Sequence, residues 1–186
     1  MAVAVPAVAQ ERSRPPWEID LHATGVLGRQ SLEGLHPLDE TRLLAGGIAL
    51  AELTPQWGLG CGLEVAWLDT EVTSYLYHVR VERRVASGGA LDFVGAVGIG
   101  GITSRLDVRG VDETETDWLV PLALGVAWSG VPDSPWGARV TFTDWVVFQE
   151  ERLGADIGDG SVPTGDRRAI HLAGVSAGVT YRLGGR

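Results

Sequence analysis

The side chains best suited to chemistry in this 186-residue chain are few and scattered. His22 and His78 could ligate a metal or exchange protons. Neither has a Cys or a second His close in sequence, where metal sites gather their ligands. Glu18, Asp20 and Glu64 could serve as general acid and base. Ser74 and His78 stand four apart and share a strand face, but no orienting acid is evident beside them. His171 and Ser176 differ by five, which in a regular strand puts them on opposite faces. The stretch GADIGDGSVPTGD, 154–166, offers oxygen ligands, and Asp156 and Asp159 are its nearest approach to a Ca²⁺ site. It lacks EF-hand spacing and reads more simply as solvated turns. The single cysteine, Cys61, sits in an apolar run and reads as a small filler, not a nucleophile. These residues predict no enzyme and no cofactor. The polar ones read instead as members of a hydrogen-bonded charge network: Glu18, Asp20, His22, Glu64, His78, Arg80, Glu82, Asp92, Arg139 and Arg182.

Such a network needs strands to hold it. Alternation at period two recurs throughout, whereas no helical period persists. Eight segments carry it: 17–28, 41–53, 57–69, 74–86, 91–104, 116–129, 136–149 and 169–183. In WGLGCGLEVAW, residues 57–67, Trp57, Leu59, Leu63 and Trp67 share one face, and Glu64 lies on the other. WLVPLALGVAW, 118–128, repeats the frame with Trp118 and Trp128. Short turns follow the even-numbered segments. Longer, acidic connections follow most of the odd ones, including LDVRGVDETETD, whose 112–117 run reads as a solvated loop.

Two facts fix which face is inside. Ten residues at about 3.3 Å rise, tilted about 45°, span roughly 23 Å, close to the apolar band of a bacterial outer-membrane barrel. The aromatics also sort to strand ends. Trp17, Trp57, Phe93, Trp128, Trp136 and Tyr181 fall toward one edge, and Trp67, Tyr75, Tyr77, Trp118 and Phe148 toward the other. Indole and phenol rings suit a lipid–water boundary, because the ring body is apolar while the N–H or O–H seeks a polar partner. The apolar face is therefore expected to meet lipid, with small residues and paired charges filling a closed lumen.

The bulk numbers agree. The net charge is −9 and all fifteen basic residues are Arg, which disfavours nucleic acid as a partner. No apolar run is long enough for a transmembrane helix. Residues 1–9, ending Ala7-Val8-Ala9, read as the remainder of an export signal. Residues 10–16 read as a periplasmic linker, 17–183 as the barrel and 184–186 as an overhang.

In strand count, strand length, loop asymmetry and aromatic edges the chain resembles the small bacterial outer-membrane β-barrels, a family that includes the OmpA transmembrane domain, OmpX and the opacity-type proteins. The resemblance covers about residues 17–183, with HLAGVSAGVTYRL as the local match to the closing strand. The chain ends LGGR where family members end in an aromatic, so Tyr181 and Leu183 would take that place. The resemblance implies an eight-stranded antiparallel up-and-down transmembrane barrel in a Gram-negative outer membrane, in contact with membrane lipids and lipopolysaccharide. Its role would be structural or interactive. Three other readings stay open: a soluble lipocalin-like barrel for a lipid or small ligand, a lipid-modifying enzyme, and a subunit of a larger envelope assembly with an unknown protein partner.

Overall fold

In the computed structural model, residues 17–27, 43–67, 72–87, 89–108, 111–130, 134–149 and 168–183 are described. The segments 1–16, 154–166 and 184–186, with Asp156 and Asp159, lie outside them. Eight strands follow in order: β1 (Trp17–Val26), β2 (Leu43–Thr54), β3 (Trp57–Trp67), β4 (Val72–Ala86), β5 (Leu91–Val108), β6 (Val111–Trp128), β7 (Trp136–Gln149) and β8 (Arg168–Leu183). Each pairs antiparallel with the next, and β8 closes on β1. The architecture is a closed, up-and-down, all-antiparallel β-barrel. Closure leaves no sheet edge within the cylinder, which suits a surface that water does not reach.

The pairing register fixes the tilt. Opposed residues run Trp17, Ala51, Leu59, Val81, Val97, Leu122, Asp144, Ala173, and the amide of Leu27 then donates to the Ala173 carbonyl. One circuit thus returns to β1 ten residues higher, at Leu27 instead of Trp17. With eight strands, that stagger requires a tilt of about 40°, so each residue rises about 2.5 Å along the axis and each neighbouring strand about 3 Å. The relative height of every strand residue follows from these two steps.

The strand-end turns at one rim are tight. Thr54 Oγ1 accepts hydrogen bonds from the amides of Gln56 and Trp57 at 3.3 and 3.1 Å, holding the β2–β3 turn. Gly130 supplies a positive φ of 72° after β6.

Two features differ from the sequence reading. First, β5 and β6 run on well past the other strands, and only residues 109–110 separate them. The 112–117 run is therefore strand, not loop, and this connection is not a long one. Hydropathy gives no strand signal there because 112–117 is polar at every position, so no apolar–polar alternation marks it. Its ladder shows instead in cross-strand pairs such as Thr103 and Thr116, whose hydroxyls lie 2.9 Å apart. Second, the interior is not uniformly small and charged. Part of it is an apolar core built from Leu44, Ala66, Leu76, Ile102, Leu119, Trp145, Val147 and Leu172.

Candidate functional site

The outer surface follows from strand alternation. Leu21, Leu59, Leu63, Val79, Val97, Ile99, Leu122 and Leu124 all point outward and are exposed, Leu124 by 70%. Trp57, Trp118 and Trp128 are exposed on the same surface, Trp118 by 68%; of Trp67 only the backbone is described. Taking Trp17 as zero, Trp57, Phe93, Trp128, Trp136 and Tyr181 lie within about 3 Å of its level along the axis. Tyr75, Tyr77, Trp118 and Phe148 lie about 19–29 Å above it, with the Trp67 backbone among them. Trp136 and Tyr181 meet edge-on in the lower ring, their centroids 4.7 Å apart. Arg83 places its guanidinium 5.4 Å from the Trp57 ring centroid, also at the lower level.

Inside, the lumen is stratified. The ionic tier lies within about 12 Å of the lower ring. Glu82, fully buried, is its hub. It accepts from Arg80 Nη2 at 2.6 Å, from Arg84 Nε at 2.9 Å, and from Arg139 through both Nη1 and Nη2 at 2.9 Å. Glu18 is a second hub. Arg84 grips it with Nη1 at 3.0 Å and Nη2 at 2.6 Å, Arg139 Nη2 adds a bond at 3.1 Å, and Arg182 Nε approaches to 3.4 Å. Arg139 Nε stands 3.2 Å from Asp20 Oδ2. Above, His22 bridges Asp20 at 3.1 Å and Glu64 at 3.4 Å. Four guanidiniums and four carboxylates thus share one enclosed space, and the bidentate forks satisfy several polar atoms at once.

Nine of the ten residues expected in this network lie inward within it or line the space around it, though not all are bonded. Both ring nitrogens of His78 and Glu64 Oε2 are buried without a hydrogen-bond partner among the described residues. They border a cavity of about 10 Å³, on the scale of one water, shared with Thr141, Thr143 and Ser176. Asp92, the tenth, is buried at the lower rim. Arg84 is the member the sequence reading passed over. Its parity with Arg80 and Glu82 in the same segment was the available signal.

Glycine makes room for the large inward side chains. A Cβ on Gly62 would stand 2.6 Å from His78 Nε2, and one on Gly46 would stand 2.5 Å from Glu64 Cγ. The same crowding faces Gly178, where His22 Cβ and Asp20 Oδ1 are 2.7 and 2.8 Å away.

The apolar tier lies inside the barrel about 20–26 Å above the lower ring. Trp145, Leu44, Leu76 and Leu119 are completely buried there. Hydroxyl pairs stitch its border: Thr24 to Ser176 and Ser74 to Ser104, each at 2.7 Å. Ser74 is thereby engaged with a second serine, and among the described residues no acid joins it to His78. His171 is exposed and Ser176 buried, on opposite faces. His171 instead pairs with Asp144, Nδ1 to Oδ2, at 2.8 Å, on the outside of the barrel. Cys61 points outward among the apolar residues.

No protein-family model matches the sequence, and no curated protein matches it. Solved structures do. Neisserial surface protein A superposes with a TM-score of 0.68 at 9% identity, over 90% of this chain and 97% of that one. The N-terminal β-barrel domain of Pseudomonas aeruginosa OprF gives 0.59 at 11% identity, over 90% and 98%. Ail, the attachment invasion locus protein of Yersinia pestis, gives 0.54 at 11% identity, over 91% and 99%. The likeness is one of fold: this chain has the fold of the small eight-stranded outer-membrane barrels.

Proposed function

We propose that this chain is a barrel of the Gram-negative outer membrane with a closed lumen, acting through its polar outer end and not as an enzyme or an open pore. The observation that carries this is the outer surface: a continuous apolar band between two aromatic rings about 25 Å apart, the height of a bacterial barrel's lipid-facing zone. In water such a band would far exceed the few hundred Å² of contiguous apolar surface that soluble monomers tolerate. The two rings become lipid-interface girdles, and the ionic hubs become an internal brace.

The soluble lipocalin-like reading requires an apolar cavity large enough for a ligand. The lumen instead holds ion pairs, a water-sized gap and an apolar plug. The lipid-modifying reading requires a nucleophile, base and acid in reach of one another, and the described residues bring no such set together. At the outer end, the acidic β5–β6 extension favours divalent cations that bridge to anionic lipopolysaccharide, or a basic protein partner. Ail has been solved with the heparin analogue sucrose octasulfate. The acidic extension here suits a polyanion poorly unless cations intervene.

The test is expression with an intact export signal, followed by membrane fractionation and gel mobility with and without heating. The reading expects the protein in the outer-membrane fraction, with an unheated band that migrates differently from the heated one. A folded monomer in detergent-free buffer contradicts it.

A further inference from the structure

Between the two aromatic rings the described outward positions carry only two charged side chains, Asp144 and Arg83. Asp144 is partnered by His171 at 2.8 Å. Arg83 pairs with no carboxylate among the described residues. Glu82 beside it on β4 and Asp92 on β5 turn into the barrel and are buried. Arg83 itself is exposed, about 4 Å above Trp17 and so within the lower ring. Directly opposite it across the sheet stand Trp57 on β3 and Gly95 on β5. The Trp57 ring covers one face of the guanidinium, whose carbon lies 5.4 Å from the ring centroid. On the other side Gly95 has no side chain, and a Cβ added there would meet only Leu124 Cδ2, at 3.6 Å. The surrounding outward side chains, Leu59, Val81, Val85, Phe93 and Val97, offer no hydrogen-bond acceptor.

A guanidinium has five N–H donors and stays charged throughout the physiological pH range. Stacking on an indole occupies its face and leaves its donor edge free. At the level of this ring the groups of opposite charge are lipid phosphates, whose oxygens match the two-pronged guanidinium edge. We propose that Arg83, backed by Trp57 and open on the Gly95 side, binds the phosphate of a periplasmic-leaflet phospholipid and prefers anionic phosphatidylglycerol. In phosphatidylethanolamine the phosphate already has an ammonium beside it, so the guanidinium gains less there. The chain as a whole carries a charge of −9, which gives it no general attraction for anionic lipid, so a preference of this kind is local to the site. The short turns at this rim put it on the periplasmic side. This rests on the outer-membrane reading.

The test reconstitutes the full chain into vesicles holding equal amounts of phosphatidylglycerol and phosphatidylethanolamine with the same acyl chains. Native mass spectrometry after mild detergent extraction then counts the lipids each chain retains. The wild type is expected to keep phosphatidylglycerol about threefold over phosphatidylethanolamine. Arg83→Gln, which removes the charge from an exposed side chain, is expected to bring the ratio near one. Equal retention by the wild type, the result for a guanidinium that is merely hydrated, or a preference that survives in Arg83→Gln overturns the inference. Heat-modifiable mobility is read on the same vesicles. A barrel that inserts without preference refutes only this site, whereas a chain that does not insert removes the outer-membrane reading as well.

Discussion

Arg84 on β4 and Glu18 on β1 are 66 residues apart in sequence, and the two strands are not neighbours in the sheet, yet their side chains meet as a two-bond fork across the lumen, at 2.6 and 3.0 Å. A fork of this kind fixes direction as well as charge, because both carboxylate oxygens face both terminal nitrogens. It braces opposite walls of the cylinder, a role that backbone pairing between adjacent strands does not fill.

Removing one partner of a buried pair leaves an uncompensated charge, which costs about 3–5 kcal/mol. Arg84→Ala is therefore expected to lower the urea unfolding midpoint of the refolded barrel in detergent or vesicles. Glu18 would keep Arg139 and Arg182, so the loss should fall toward the lower end. Glu18→Ala made together with Arg84→Ala should cost less than the sum of the two single changes. Strict additivity would show that the fork contributes no coupling.

The apolar tier should govern permeability. Trp145 is fully enclosed, so Trp145→Ala opens a void and is expected to cost about 3–5 kcal/mol. Planar bilayer recording should show no resolved single-channel steps for the wild type. Trp145→Ala combined with Leu119→Ala should produce brief openings. Stable large steps from the wild type would refute a closed lumen.

Gly62→Ala tests the fit between inward glycines and their large neighbours. The new methyl group would press on the His78 ring, whose Nε2 and Nδ1 would stand 2.6 and 3.2 Å from it, so a loss of about 1–3 kcal/mol is expected. Pairing the change with His78→Ala should recover most of that loss in the same unfolding measurement. No recovery would show that the glycine is needed for some other reason.

Much of this was legible in the sequence because a barrel repeats one rule in every strand. Parity alone places Trp57, Trp118 and Trp128 outside and Glu18, Glu82 and Arg139 inside, and the register adds only their heights. Parity was less useful where both faces are apolar. In LLAGGIAL of β2, nothing in composition tells that Leu44 and Ile48 turn inward while Leu43 turns out. Trp145 was readable in principle, since it is odd where Trp136, Phe142 and Phe148 are even. Asp144 shares the even parity of Trp136, Phe142 and Phe148, so its outward side was legible, and the stagger of the closed sheet adds only its height. The β5–β6 extension was invisible to hydropathy, since 112–117 carries no apolar residue to alternate with the polar ones.

The central claim is that the apolar face of the sheet meets acyl chains while the lumen is sealed from them. Quenching by brominated lipids tests it most directly, using two variants that each retain one tryptophan, Trp118 or Trp145, with the other six replaced by Phe. The account predicts strong quenching of Trp118 by lipids brominated near the headgroup and little quenching of Trp145 by any brominated lipid. Quenching of Trp145 by lipid, with Trp118 answering only to a water-soluble quencher, would contradict it.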